Sequence, residues 1–365
     1  MSRSHAFDQW YECGDKKFLN IWQAFDYQKE SGHFPEYKFD PEFIANIQNI
    51  KRPKNLNHQY IKNLIVNRLK QLRKQHKFLR LALGGGTDSF SILKYCVEND
   101  IYLDEVFTRM MTINENIRHN IEYMPALRYA EKHVGKSIGK VLKIHPTIQE
   151  AEYPLQKDWY KNLLVGNCLS GRHCIYSHYY KVTDLPFDDT MTIVGYDKPY
   201  IQKENGQMYW TQIDGGISET MGCKNSLPLF FDKHNPELAV CMAYALLENS
   251  DTDRDFIGFD IQPKQHKLKI LHAMGLESTG HHYLDFHLWG KAPFEGMNTK
   301  HLIAQRELIK LGRQDIVDAY LNTNKIIILQ YQSLPHGIEV KENKFVKATN
   351  RLCQKVPIYQ DSFGD

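Results

Sequence analysis

Cysteine is scarce in this chain and carries no pattern. Seven cysteines are scattered over 365 residues without one CxxC pair, which excludes a zinc ribbon and argues against a disulfide framework. No apolar run approaches the roughly 18 residues that span a bilayer. The opening Met1-Ser2-Arg3-Ser4-His5 also lacks the apolar core of a signal peptide. A soluble, cytoplasmic protein is the expectation. An excess of one charge is missing too: 46 Lys+Arg against 43 Asp+Glu leave a net charge of +3, a balance that neither demands nor excludes a nucleic-acid partner. Acid is absent locally, since no Asp or Glu stands between Phe43 and Thr87 while bases accumulate from Lys51 through Arg73 and Lys74 to Arg80. This basic stretch, 51–80, is a candidate for contact with RNA or DNA phosphates, against the plainer reading of a solvated helix face. Internal repeats and low-complexity tracts are lacking as well.

What is present is concentrated in six residues, Gly84-Gly85-Gly86-Thr87-Asp88-Ser89. An apolar β-type run, Phe78 to Leu83, precedes them. An amphipathic stretch with Ile92, Leu93, Cys96 and Val97 on one stripe follows. A strand, a glycine loop and a helix start in this order build an anion cradle: amides unpaired in the first helical turn and the positive end of the helix dipole face a loop that phosphate oxygens approach closely. A Walker A loop needs Lys before its final Ser/Thr, where Asp88 stands here. A dinucleotide fingerprint would accept Gly84, Gly86 and Ser89, but its ribose-binding acid belongs about 20 residues on. The second strand, read as Glu105 to Met111, ends instead in Arg109-Met110-Met111-Thr112.

The run Leu83-Gly84-Gly85-Gly86-Thr87-Asp88-Ser89 resembles the pyrophosphate loop of the N-type ATP pyrophosphatases, usually Ser-Gly-Gly-x-Asp-Ser. These enzymes split ATP between its α- and β-phosphates. The layout is similar to the synthetase domain of asparagine synthetase: a helix through Ile61, Leu64, Ile65, Leu69 and Leu72 before the first strand, a helix from Ile117 to Val134, a third strand Lys140 to His145, and a later strand Met191 to Val194. That last strand runs into Gly195-Tyr196-Asp197-Lys198, where the family places a second nucleotide-contacting turn. The resemblance implies an α/β fold with a parallel, Rossmann-like sheet of the PP-loop type and helices on both faces, plus a mainly helical C-terminal part. Three regions follow: an aromatic-rich extension over 1–55, a nucleotide-binding domain over 56–200 and a closing or substrate region over 201–365. The family's first Ser is Gly84 here, which removes a hydrogen bond to pyrophosphate worth about 1–3 kcal/mol.

The implied cofactors are ATP and Mg²⁺. Gly84, Gly85, Gly86, Thr87 and Ser89 would hold pyrophosphate. Asp88 would hold Mg²⁺, because a bare carboxylate beside phosphates is otherwise repelled. Leu83 and Met110 stand where the family binds adenine through the backbone, and Gly195 and Asp197 belong to the second turn. Lys198 and Lys224 are candidates to neutralise negative charge, with ordinary surface lysine as the alternative. The implied reaction is an adenylation followed by attack of an amine or ammonia on a small-molecule acceptor. A tRNA or DNA base as acceptor, and a non-catalytic nucleotide-binding module, are the alternatives. With Ser at position 2 and little chain before the loop, glutamine hydrolysis is not expected, so ammonia or an amine would come from solution or a separate donor protein.

The remaining chain is less informative. The segment 146–190, with Cys168, His173, Cys174 and His178, falls at the sheet edge where substrate loops gather, but its spacing matches no common zinc pattern. His281, His282 and His287 are read as core or surface histidines rather than ligands. Glu204-Asn205-Gly206-Gln207 reads as a hairpin turn. Asn235-Pro236-Glu237 reads as a helix start capped by Asn235, and a further helix is expected near His301 to Leu321.

Overall fold

In a computed structural model, the described residues are 10–18, 20–109, 124–145, 147–157, 159, 185–195, 198–211, 225–250, 256–258, 264–277, 306–319, 321–322 and 355–358. Five parallel strands form the central sheet: β4 (Phe78–Ala82), β5 (Leu103–Arg109), β6 (Ile138–Ile144), β7 (Thr190–Val194) and β10 (Ser226–Pro228), in the spatial order β10-β7-β4-β5-β6. The chain leaves β4 for β5 and β6 on one side and then returns to β7 and β10 on the other. The order therefore reverses between β4 and β7, the position where open parallel sheets form a crevice beyond the carboxyl ends of two strands. This is the Rossmann-like α/β core expected from the sequence.

Helices α3 (His58–Gln75), α4 (Thr87–Glu98) and α7 (Pro236–Asn249) share one core with the sheet. Alternation along β4 turns Leu79 and Leu81 to this layer, where they meet Ile61, Ile65, Leu69, Ile92, Leu93 and the apolar side of α7. The opposite face carries a rung that the word apolar does not describe. Ser226, Thr192, Arg80, Glu105 and Lys140 stand in register across all five strands. Arg80 and Glu105 are essentially unexposed and ion-paired, Lys140 Nζ lies 3.2 Å from Glu105, and the Arg80 guanidinium sits 3.9 Å over the Phe107 ring.

The aromatic N-terminal region is ordered into β1 (Trp10–Cys13), β2 (Lys16–Phe18), α1 (Ile21–Ser31), β3 (Glu36–Lys38) and α2 (Pro41–Gln48), with the three strands in one antiparallel sheet. Beyond residue 200 the described residues hold more helix than strand, as expected, but strands form a second component. Besides α7 and α8 (Lys264–Ala273), this half supplies β10 to the parallel sheet. It also forms most of an antiparallel sheet of β8 (Tyr200–Glu204), β9 (Gln207–Thr211), β11 (Phe256–Ile257) and β12 (Val356–Pro357). The β8–β9 hairpin turns on Asn205 and Gly206, both with positive φ (49° and 79°), the conformation that a two-residue hairpin turn requires. The helix expected near 301–321 is broken: residues 306–310 and 314–319 are helical, and Gly312 at φ 74° separates them.

One ring joins these parts. Trp210 on β9 lies edge-on to Phe39 at 5.1 Å, Phe43 at 5.6 Å and Phe231 at 5.9 Å, so the N-terminal region, the antiparallel sheet and the approach to α7 share one core. The remaining helical elements, α5 (Met124–Lys132) and α6 (Ile148–Ala151), flank β6 in sequence.

Candidate functional site

Helices α1, α2 and α3 open on side-chain caps. Asn20 accepts from Trp22 N, Asp40 from Glu42 N and Phe43 N, and Asn57 from Tyr60 N. Helix α4 opens on Gly86 with no side-chain cap, which leaves its first-turn amides directed at the crevice beyond β4. Gly85 adopts φ 77°, a left-handed conformation that costs a residue with a Cβ but not glycine. The loop is braced from within: Gly84 N donates to Ser89 Oγ at 3.1 Å, and Ser89 Oγ donates to Gly86 O at 3.3 Å. Ser89 thus fixes the loop shape, a role the motif alone does not disclose. Leu83 N–H is committed to Phe107 O at 2.8 Å, so this amide is not available to a ligand.

Among the described residues, Thr87 Oγ1 at this helix start is buried with no hydrogen-bond partner, and Asp88 Oδ1 has only an ion pair. Buried polar atoms are normally paired, so the Thr87 hydroxyl keeps a hydrogen bond to give. Asp88 faces Lys198 across the crevice. The Nζ atom lies 2.7 Å from Oδ1 and 2.8 Å from Oδ2, and only the second contact has hydrogen-bond geometry. The two side chains are 10% and 18% exposed, so solvent screens the pair only partly. Lys198 is therefore no ordinary surface lysine, and the two candidates singled out in the sequence are joined to each other.

Gly195 explains how β7 meets this point. A Cβ at position 195 would lie 2.9 Å from Ser89 N, 3.0 Å from Asp88 C and 2.9 Å from Ile92 Cδ1. Only glycine lets the chain at the end of β7 lie this close to the first turn of α4. Behind the loop, Ser91 Oγ donates to Thr87 O at 2.7 Å and accepts from Glu277 N at 2.8 Å, and Tyr95 Oη donates to Gly275 O at 2.6 Å. The segment after α8 is thereby strapped to α4.

Met110, Asp197 and Lys224 lie outside the described residues, as do Cys168, His173, Cys174, His178, His281, His282 and His287. Among the described residues, no group of three or more His, Cys, Asp or Glu is placed to hold a metal. Asp88 would thus bind Mg²⁺ only together with ligand oxygens and water, which is the usual habit of this ion with phosphates. The described cysteines, Cys13, Cys96 and Cys241, are buried and free. Burial pushes the Cys96 thiol far up and that of Cys241 to about 12, so neither provides a thiolate near neutral pH.

About half of the cations in the basic stretch are paired internally. Arg52 pairs with Glu248, Lys62 with Glu98, Arg68 with Asp232, Arg73 with Asp104 and Arg80 with Glu105. Lys51, Lys54, Lys70 and Lys74 are the exposed cations on it besides Lys77. Among the described residues no helix is long and apolar enough to cross a membrane.

The chain matches no protein-family model, and no curated protein matches it. Fold and site together define a structural class: a parallel α/β protein with an uncapped, glycine-led helix at the point where its strand order reverses.

Proposed function

We propose that the protein is an ATP-dependent enzyme of the N-type ATP pyrophosphatase kind that forms AMP and pyrophosphate. It would adenylate a carboxylate or carbonyl oxygen of its acceptor for attack by ammonia or an amine. The observation that carries this reading is the bare amino end of α4 at the switch point, with Gly85 in the left-handed region and Thr87 Oγ1 buried without a partner. A phosphate chain supplies acceptors for each of these donors.

When bound, Mg²⁺ and ATP supply an electrophilic α-phosphorus and a leaving pyrophosphate. The amides of residues 85 to 89 would hold the phosphate oxygens, and Thr87 Oγ1 would donate to one of them, while the Gly84 amide braces the loop through Ser89 Oγ. Asp88 would hold the metal, and Lys198 would neutralise negative charge on the pyrophosphate side. This form of preorganised electrostatic support is usually the largest catalytic term. The crevice aligns the acceptor oxygen for attack. Lys224, Met110, Asp197 and Leu83 keep the roles that the family resemblance gives them. A small molecule is the acceptor in this reading, and a tRNA or DNA base is the alternative, for which the exposed Lys51, Lys54, Lys70 and Lys74 remain.

Incubation with Mg²⁺, ATP, ammonia and a panel of carboxylates, with products resolved by ion-exchange chromatography, tests the reaction. Equimolar AMP and pyrophosphate are expected. ADP with inorganic phosphate would overturn the proposal, and bound ATP left intact with every acceptor would point to the binding module instead.

A further inference from the structure

We propose that the Asp88–Lys198 pair is an exchange lock that admits a phosphate chain and its metal only together. The inference rests on the reading that the Gly84–Ser89 loop takes a polyphosphate, and it adds the rule by which ligands are selected.

The pair has three relevant properties. It lies at the amino end of α4, where the chain's own helix dipole already favours an anion. It is mostly withdrawn from water, with Nζ at 2.7 and 2.8 Å from the two carboxylate oxygens. Residue 195, three before the lysine, passes so close to the first turn of α4 that a Cβ built on it would lie 2.9 Å from Ser89 N. Removing one partner from a buried ion pair strands the other charge, which costs far more than the intact pair contributes.

From this follows a discrimination between ligands. A divalent cation alone at Asp88 meets the Lys198 ammonium a few ångströms away. A free pyrophosphate that draws Lys198 to itself faces an uncompensated Asp88 carboxylate. A metal–pyrophosphate unit satisfies both halves at once, the metal on Asp88 and an oxygen on Lys198, so one internal pair is traded for two external ones. Metal and anion should therefore bind with positive coupling, on the order of 100-fold at the upper part of the usual range, and the coupling must be the same whichever ligand is added first.

Calorimetric titration of the intact protein with inorganic pyrophosphate, in chelator and with Mg²⁺, measures this coupling. Manganese binding followed by electron paramagnetic resonance reports on the metal alone. Wild type is expected to bind metal–pyrophosphate roughly 100-fold more tightly than metal-free pyrophosphate, and to bind Mn²⁺ alone weakly. Lys198→Met should gain affinity for Mn²⁺ alone, and Asp88→Asn should gain affinity for metal-free pyrophosphate, with coupling falling towards unity in both. The double variant, which strands no charge, serves as the folding control.

Equal wild-type affinity for pyrophosphate with and without metal would overturn the lock while leaving the cradle in place. So would a folded Lys198→Met protein with unchanged Mn²⁺ affinity. Wild type that binds no pyrophosphate under any condition would remove the cradle, and the lock with it. Tight, coupled binding without AMP formation would remove the proposed chemistry alone.

Discussion

At the scale of single residues, glycine decides the site in two opposite ways. Gly195 has no room for a side chain, since a Cβ would press on the backbone of Ser89 and Asp88. Gly195→Ala is expected to cost about 1–3 kcal/mol, the range for overpacking, and to weaken Mg²⁺-dependent pyrophosphate binding because Lys198 is carried away from Asp88. Urea denaturation and calorimetry check the two effects. Gly84 is the reverse case. The nearest atom to a Cβ there is Ser89 Oγ at 3.9 Å, an ordinary contact, so Gly84→Ser fits. The added hydroxyl should tighten ATP binding roughly 10-fold, within the 1–3 kcal/mol of a charged hydrogen bond, and unchanged affinity would show that this position does not touch phosphate.

At the scale of elements, the rung across the parallel sheet is the feature with the largest energetic consequence. Arg80 and Glu105 are buried partners on adjacent strands. Glu105→Gln or Arg80→Met alone should destabilise the protein by about 3–5 kcal/mol, whereas replacing both by apolar residues of similar volume should cost much less. Thermal unfolding of the two single variants and the double variant measures the difference.

Helix α4 is also tied by its outer face. The Glu277 carboxyl is raised by its burial, but the hydrogen bond and charge of Lys94, 3.0 Å away, outweigh this and hold it below its ordinary value of 4.5. A carboxyl lowered by folding stabilises above its unfolded pKa and ceases to do so as pH falls through its folded value. Glu277→Gln should therefore be less stable than wild type at pH 7. The gap should close as the medium is acidified below about pH 4.5, which urea melts at a series of pH values would follow.

Much of this layer was legible in the sequence. The four strands around the loop, α3 and the Asn205-Gly206 turn announce themselves through local pattern, because each depends on neighbours within a few residues. What escaped depends on distance. Arg80 reads as an exception in an apolar run until its partner Glu105 is known, and Lys198, a candidate from its place after Gly195, gives no sign in the sequence that its partner is a carboxylate 110 residues away. Strand β10, three residues ending in proline, is too short to carry a period. Asn235 has the sequence position of a cap, yet its side chain donates to Leu64 O at 3.4 Å and makes no capping bond. Position in the chain cannot reveal that competing acceptor.

At the scale of the whole molecule, the aromatic extension and the last described strand meet on one residue. Trp210 contacts Phe39, Phe43 and Phe231, and its backbone is in register with Val356 of β12. The expected division into an extension, a nucleotide-binding part and a closing part thus has to be drawn across a continuous core. Trp210→Ala should cost about 3–5 kcal/mol. It should also raise amide hydrogen exchange in β1–β3 and in residues 355–358 alike, while a response confined to one of them would show that they are independent.

The pairing of β12 with β9 also has a consequence for synthesis. Chains fold as they emerge from the ribosome, amino-terminal parts first. Strand β9 is translated long before Val356, so the edge that β12 pairs with stays open while everything between is being made. Nascent protein should lean on chaperones during that interval, and a stalled or nonsense-truncated message would release a sticky product rather than a merely inactive one.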